Sequence, residues 1–344
     1  MNDIYKYLEI YGKKDFTEAR WNDIDSLVCS ILSYVPIKSF EGFKTLEEIN
    51  KLCKNYNIDK NFFLKETLRI LDLVANCKRY KKMKVFNASV INNTKTQFGA
   101  FTFRVGIYTI IAFKGTDGSV IGWLENFRLS YQYPTITQEL AINYLNDNIK
   151  FLDNKVYVVG HSKGGNLAMV SCMELSSFKF KKVAKILNYD GPGFRKEEFE
   201  SSEYVRIKDK ITTYVPTNSS VGMILRNEKF TPIKSYKKGV KEHYPFSWEI
   251  YGQYFVDSKL SQVSKRINKM TTVSFEKIGE DKLRDVFENI FANSGKKYDS
   301  KFKFNYESLN SVRRGIKSVD TEVKKTLELL FKEVFKLIKK DKDA

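Results

Sequence analysis

Residues 155–166 read KVYVVGHSKGGN, and this stretch decides the fold that we predict. An apolar strand, 155–159, leads into the pattern G-x-S-x-G formed by Gly160, Ser162 and Gly164, and a helical sequence follows. A serine on a tight strand-to-helix turn needs small residues two positions before and after it, because the backbones crowd there. The pattern alone is weak evidence, but with its flanking strand and helix it indicates a nucleophilic serine, Ser162.

Strands and helices alternate on both sides of this stretch. The predicted strands, rich in β-branched and aromatic residues, are 84–92, 98–105, 107–113, 155–159, 184–189 and 210–215. The predicted helices are 22–34, 45–54, 61–76, 137–151, 163–176 and 195–205. Because strands that alternate with helices pair in parallel, we expect an α/β protein with a mostly parallel central sheet flanked by helices.

Three regions are expected along the chain. They are a helical N-terminal region packed on the core at 1–82, an α/β core at 83–256, and a mainly helical C-terminal region at 257–344 that is a candidate lid or cap. Within the last region, 320–340 carries apolar residues at helical spacing with lysines on the opposite face. Packing of this helix against the domain is favoured over attachment to a membrane, since most amphipathic helices of globular proteins cover a core.

The composition is that of a folded globular protein. The chain has 344 residues, of which 42% are hydrophobic, with 26 Phe and 20 Tyr, whereas disordered chains lack such residues. Its 2 His and 4 Cys form no CxxC or HExxH pattern, which argues against a metal site, and no cofactor is expected. With neither a secretory signal nor a membrane-spanning apolar run, we expect a cytoplasmic protein whose cysteines are reduced.

The net charge of +18, from 59 Lys and Arg against 41 Asp and Glu, suits a polyanionic partner. The basic residues are dispersed, however, and no RNP, zinc-finger or helix-turn-helix pattern accompanies them. Nucleic acid is therefore disfavoured as a partner. Peripheral contact with the anionic inner face of a membrane stays open.

A nucleophilic serine needs a general base, and the chain offers two histidines. His161 is adjacent to Ser162 in the turn, where neighbouring side chains project away from each other, so its ring does not easily reach the serine. His243 lies in a loop-like context after the last predicted sheet strand. Although a lone histidine is more often structural, His243 is left as the only imidazole available, and the order serine then histidine is that of α/β-hydrolases.

A carboxylate should hold the imidazole in its working tautomer. Asp190 fits best, because it ends the strand 184–189 at the edge of the sheet where functional side chains meet. It also precedes the turn Gly-Pro-Gly at 191–193, so capping of that turn is the simpler alternative. The segment after the next strand, 217–220, is another usual place for the acid but contains no carboxylate.

An oxyanion needs hydrogen-bond donors from a loop that follows an earlier strand. The strand 110–113 runs into the glycine-rich turn 114–118, where Thr116 offers its backbone N–H and its hydroxyl. Lys163, directly after the nucleophile, offers a second backbone N–H at the start of a helix. We therefore expect Thr116 and Lys163 to form the oxyanion hole.

These motifs resemble a known family. AFKGT at 112–116, with Trp123 nearby, and VVGHSKGGNLA at 158–168 resemble the class 3, fungal-type triacylglycerol lipases. The chain is still more similar to an uncharacterised bacterial family of lipase-like α/β-hydrolases. Further features typical of that family are an Asp-x-Leu-Val stretch at 25–28, YDGPGF at 189–194, PTNSSVGM at 216–223, and His243 followed by Trp248.

The resemblance implies an α/β-hydrolase fold with Ser162 as nucleophile, His243 as base and Thr116 at the oxyanion hole. One departure matters, because class 3 lipases carry their acid near the positions of Asn218 and Ser219. Either Asp190 supplies the carboxylate from the preceding strand, or the third member is a neutral hydrogen-bonding residue there. We favour Asp190.

Two functions are compatible with these residues. The first is a serine hydrolase that cleaves a carboxylic ester through an acyl-enzyme, with an acylglycerol or phospholipid substrate implied by the resemblance. The second is a non-catalytic or regulatory α/β-hydrolase-fold protein that binds a partner or a membrane surface and retains the turn, since a fold alone does not establish activity.

Overall fold

An eight-stranded sheet forms the centre of the molecule, for which a computed structural model describes residues 2–56, 61–93, 96–116, 120–292 and 321. The strands lie in the sheet in chain order. They are β1 (Phe40–Thr45), β2 (Lys84–Asn92), β3 (Gln97–Val105), β4 (Tyr108–Phe113), β5 (Lys155–His161), β6 (Val183–Tyr189), β7 (Ile211–Pro216) and β8 (Phe230–Ile233). β1 to β4 pair antiparallel, and β4 to β8 pair parallel.

Helices cover this sheet, and a small hairpin of two further strands, β9 (Ile250–Tyr251) and β10 (Tyr254–Phe255), lies apart from it. The helices are α1 (Ile4–Tyr11), α2 (Asp23–Leu32), α3 (Leu46–Cys53), α4 (Phe62–Ala75), α5 (Val120–Arg128), α6 (Ile136–Asn148), α7 (Lys163–Met173), α8 (Ser177–Lys182), α9 (Lys196–Phe199), α10 (Ser202–Ile207), α11 (Gln262–Ile278) and α12 (Glu280–Ala292). Short 3-10 helices at Lys208–Lys210, Gly239–His243 and Pro245–Ser247 complete the described elements.

The central parallel strands β4, β5 and β6 are largely buried on both faces, which explains their apolar sequences. Successive side chains of β5 alternate between the two sides: Val159 belongs to the core beneath α2, and Val158 to the core beneath α6 and α7. Both side chains are fully buried. A mostly parallel sheet with helices on both faces and a strand–serine–helix turn is the α/β-hydrolase fold, so the predicted fold class is confirmed.

The sequence did not predict two strands that lie at the edges of the sheet. β1 is largely exposed and its register with β2 is interrupted between Phe40 and Phe43, so its sequence shows no alternation of apolar and polar residues. β8 contains Pro232, a residue that counts against a strand except at a sheet edge. Helix α5 was also missed, and the predicted helix 195–205 is divided into α9 and α10.

Among the residues that the structure describes, no helix is both long and apolar enough to cross a membrane. All four cysteines are free thiols, and three of them are buried. Burial raises the pKa of the Cys53 thiol to about 11, so that group is protonated at neutral pH. Apart from Thr321, the predicted helix at 320–340 lies outside the described residues.

Candidate active site

Ser162 lies at the sharp turn between β5 and α7. Its φ is 57° and its ψ is −133°, a conformation that non-glycine residues rarely adopt and that persists only where the surrounding structure imposes it. A Cβ on Gly160 would lie 2.0 Å from the Gly164 carbonyl oxygen, and a Cβ on Gly164 would lie 2.1 Å from the Phe113 carbonyl oxygen. Both positions therefore require glycine, because of the crowding that the sequence pattern implies.

Asp190 lies beside Ser162 at the same edge of the sheet. In the parallel pair β5 and β6, His161 is opposite Tyr189, so Ser162 and Asp190 are the next residues after a registered pair. The Ser162 N–H donates to the Tyr189 carbonyl at 2.9 Å. The carboxyl ends of adjacent parallel strands thus bring the predicted nucleophile and the predicted acid together.

The Asp190 carboxylate contacts the ring of His243. Asp190 Oδ2 lies 2.6 Å from His243 Nδ1, and the Asp190 side chain is fully buried while that of His243 is 13% exposed. Asp190 Oδ1 accepts hydrogen bonds from the Gly222 N–H at 3.2 Å and from the Ser219 hydroxyl. These contacts reach the segment after β7 and the 3-10 helix Gly239–His243, so the role of Asp190 extends beyond capping of its own turn.

Because His243 Nδ1 is hydrogen-bonded to Asp190, Nε2 is the ring nitrogen left for proton transfer. In the part of the chain that the structure describes, no hydrogen bond joins the Ser162 hydroxyl to His243. Catalytic hydrogen bonds of unliganded sites are often long and tighten only when substrate binds. The arrangement therefore leaves the Ser162 hydroxyl available rather than already paired.

His161 is hydrogen-bonded to the backbone of His243, the predicted base, and not to Ser162. Its Nε2 lies 2.8 Å from the His243 carbonyl oxygen, and its Nδ1 lies 3.2 Å from the Tyr34 hydroxyl. Burial, and then the neighbouring His243, lower the pKa of His161 well below its usual value, so the ring is neutral. Because a carbonyl only accepts, Nε2 carries the proton and Nδ1 accepts from Tyr34.

The two alternative third members lie close to the pair without contacting the His243 ring. The Ser219 hydroxyl donates to Asp190. Asn218 donates its backbone N–H at 2.9 Å and its side-chain amide at 2.6 Å to Glu242. Glu242 is buried and directly precedes His243, so Asn218 fixes the segment that carries the base.

The turn predicted to supply an oxyanion donor packs directly on Ser162. A Cβ on Gly115 would lie 2.5 Å from the His161 carbonyl oxygen and 3.0 Å from Ser162 Cβ. Thr116 Oγ1 accepts a hydrogen bond from Asn126 Nδ2 at 2.7 Å, which leaves the Thr116 O–H able to donate to a ligand. The rest of this turn, 117–119, lies outside the described residues.

Lys163 is the first residue of α7, so its backbone N–H has no partner in the helix itself. Its side chain is fully buried and forms an ion pair with Glu125 of α5, with Nζ and Oε2 2.7 Å apart. The N-terminus of α7, with its positive dipole end, directly follows Ser162. These properties suit an oxyanion donor.

Aromatic side chains pack around His161, whose ring also contacts that of His243. Phe63 stacks on His161 with ring centres 5.7 Å apart, and it also contacts Tyr244 and Phe246. These three rings form an aromatic wall beside His161, on the side of α4. Within the described residues, no group of three His, Cys, Asp or Glu side chains is arranged to hold a metal ion.

Three buried polar residues of the site were missed in the sequence. One feature of the sequence could have indicated Glu242, namely its position next to His243. Tyr34 follows α2 and Glu125 lies in α5, both distant in sequence from the site, and their contacts with His161 and Lys163 depend on packing. Patterns of spacing do not detect such contacts.

Comparison with known proteins places the chain in a family. No curated protein matches its sequence. Solved structures that are similar include the M37 lipase, with 13% identity, a TM-score of 0.38 and coverage of 92% of this chain and 96% of that one. They also include a lipase from Rhizopus microsporus var. chinensis, with 13% identity, a TM-score of 0.31 and coverage of 64% of this chain and 93% of that one. At TM-scores this low, neither structure is used to infer the fold or the function of this protein. The Mbeg1-like family profile matches residues 74–292, more than half of the chain, and the protein therefore belongs to the Mbeg1-like family.

Proposed function

We propose that the protein is a serine hydrolase that cleaves a carboxylic ester through an acyl-enzyme. The observation that carries the proposal is the pairing of Asp190 with His243 at 2.6 Å, at the edge of the sheet where Ser162 occupies its strained turn. A nucleophile, a base and a group that orients the base are the parts that such chemistry requires.

In the proposed reaction, the Ser162 oxygen attacks the ester carbonyl while His243 Nε2 takes the hydroxyl proton. Asp190 keeps Nδ1 protonated and stabilises the imidazolium that forms. The backbone N–H of Lys163 and the Thr116 donors bind the oxyanion of the tetrahedral intermediate. When the intermediate collapses, His243 returns its proton to the leaving alcohol, and a water activated by the same ring then hydrolyses the acyl-enzyme.

A lipid-like substrate, an acylglycerol or a phospholipid, is part of the proposal. It is supported by the similarity of 112–116 and 158–168 to class 3 lipases, and by the aromatic wall beside the histidines, which suits an apolar acyl group. Membership of a bacterial, lipase-like branch rests on the same motifs. A cytoplasmic location is part of the proposal, and the net charge of +18 supports peripheral contact with an anionic membrane.

Hydrolysis of p-nitrophenyl butyrate tests the proposed activity. Ser162→Ala should reduce turnover to background, because removal of the nucleophile removes the acyl-enzyme route. Ser202→Ala is the matched control, since Ser202 is an exposed serine of α10, and it should keep wild-type turnover. Undiminished turnover in Ser162→Ala, or none in the folded wild-type protein, would refute the proposal and favour a non-catalytic binding protein.

A further inference from the structure

A charged side chain is buried directly behind the nucleophile. Lys163 follows Ser162 in sequence, and its ammonium group lies 2.7 Å from Glu125 Oε2 and 2.7 Å from the Gln97 carbonyl oxygen. The Lys163 side chain is 0% exposed and that of Glu125 is 2% exposed. Desolvation offsets most of the attraction within such a pair, so a buried ion pair is weak evidence of a contribution to stability.

The contacts of this pair lead to the turn that carries Thr116. Gln97, which accepts from Lys163, donates its side-chain amide to the Gly115 carbonyl at 3.4 Å. Glu125 accepts in addition from the Gln97 N–H at 3.3 Å and from the Thr96 hydroxyl. The network therefore joins the start of α7, the start of β3, helix α5 and the residue before Thr116.

These joined elements are the ones that carry the two expected oxyanion donors. One donor is the backbone N–H of Lys163, and the other belongs to Thr116. Donors of this kind stabilise a transition state only when they are held about 2.7–3.1 Å from the oxyanion position. A shift between α7 and the turn would move both donors away from that position.

We propose that the Lys163–Glu125 ion pair is a positioning device for the oxyanion hole, in which Glu125 is a positioning residue that fixes the first turn of α7 relative to the turn at Gly115 and Thr116. This inference rests on the proposed function. It assigns a specific task to a buried pair that is not needed for binding the ester. The consequence is a selective loss of transition-state stabilisation when the charges are removed.

The test replaces both members of the pair with neutral residues of similar size. Lys163→Met alone leaves an unpaired buried carboxylate and should lower Tm by on the order of 10 °C. The double variant Lys163→Met with Glu125→Gln removes both charges and should recover most of that loss, because neither charge is left unpaired. Comparison of the single and double variants thereby separates stability from activity.

Activity is measured on p-nitrophenyl butyrate, with a trifluoromethyl ketone as the transition-state analogue. In the double variant we expect kcat to fall roughly 10- to 100-fold and the inhibition constant of the ketone to rise similarly, while KM changes less than twofold. Lys185→Met, which breaks a lysine ion pair with Asp23 elsewhere on the sheet, is the matched control and should keep wild-type kcat.

Wild-type kcat in a double variant whose Tm has recovered would overturn the inference. If the double variant does not fold, Glu125→Asp serves as the test, because it keeps the negative charge on a side chain one methylene shorter. Unchanged kcat in Glu125→Asp would also overturn the inference. An inactive wild-type protein would refute the proposed function itself, and this inference with it. An active wild-type protein with an unaffected double variant would refute the positioning role alone.

Discussion

At the scale of single residues, Asp190 joins three separate segments of the chain. It follows β6, it contacts the His243 ring, and it accepts hydrogen bonds from Gly222 and Ser219. Its own φ of 53° is unusual for a residue with a side chain. A residue held in this way by neighbours on two other segments has a fixed carboxylate, as the orientation of an imidazole requires.

Asp190→Asn should lower kcat by on the order of 10⁴ with little change in KM, because an amide can hold the imidazole in the wrong tautomer. Ser219→Ala, which removes one donor to the same carboxylate, should reduce kcat far less and serves as the control. Steady-state kinetics with p-nitrophenyl butyrate measure both. A loss below tenfold in a stable Asp190→Asn protein would shift the assignment towards Asn218 or Ser219.

His161 gives the site a pH-dependent stability. Its pKa in the folded protein lies well below the model-peptide value of 6.5, so below pH 6.5 the unfolded chain binds a proton that the folded protein does not. Stability contributed by the neutral ring is therefore present above pH 6.5 and is lost as the pH falls towards the folded pKa.

His161→Gln should remove this dependence, because its amide can donate to the His243 carbonyl without titrating. Between pH 6.5 and 5, the wild-type free energy of unfolding should fall more steeply than that of the variant, by up to about 1.4 kcal/mol per pH unit. Urea denaturation across this range measures the two slopes. Equal slopes would mean that His161 is not held neutral in the folded protein.

At the scale of secondary-structure elements, a second buried ion pair joins α1, α2 and the chain before β2. Asp25 of α2 accepts hydrogen bonds from Arg79 at 2.7 Å, from Tyr7 at 2.9 Å and from Tyr80 at 2.6 Å. Both charged side chains are fully buried. This cluster fixes α2, whose C-terminal neighbour Tyr34 contacts His161 at the site.

Arg79→Met should destabilise the protein by about 3–5 kcal/mol, because it leaves the Asp25 carboxylate buried without its partner. Arg69→Met removes an exposed arginine that pairs with Glu66 and should cost less than about 1 kcal/mol. Urea denaturation of both variants gives the comparison. A similar small loss for both would show that the Asp25–Arg79 pair does not hold α2 in place.

The sequence predicted elements well where local patterns are strong. β2 was predicted at its observed bounds, and β5, β6 and α7 within a few residues. For β5 and β6 the reason is that buried parallel strands read as apolar runs. β1, β8 and α5 were missed because edge strands lack alternation and α5 carries no clear start signal. At the site, the Asp190–His243 contact was anticipated from topology, whereas the Tyr34, Glu125 and Glu242 contacts depend on side-chain packing across distant segments.

At the scale of the whole molecule, the sheet carries three parts of the proposed mechanism at the carboxyl ends of its parallel strands, and the 3-10 helix Gly239–His243 supplies the base. Ser162 follows β5, Asp190 follows β6, and the turn with Thr116 follows β4. Helices α5 and α12 pack together through the pair Arg128–Glu288, which connects the C-terminal helices to the oxyanion turn. The net charge of +18 is dispersed around this arrangement and is secondary to the chemistry.

Mapping of a fluorophosphonate adduct tests the central claim most directly, namely that Ser162 is a nucleophile activated by His243. The folded wild-type protein should gain one adduct, and tandem mass spectrometry of its peptides should place that adduct on Ser162. His243→Gln should slow labelling by at least 10²-fold, because the general base is lost. An adduct on another residue, or equal labelling rates in the two proteins, would contradict the account.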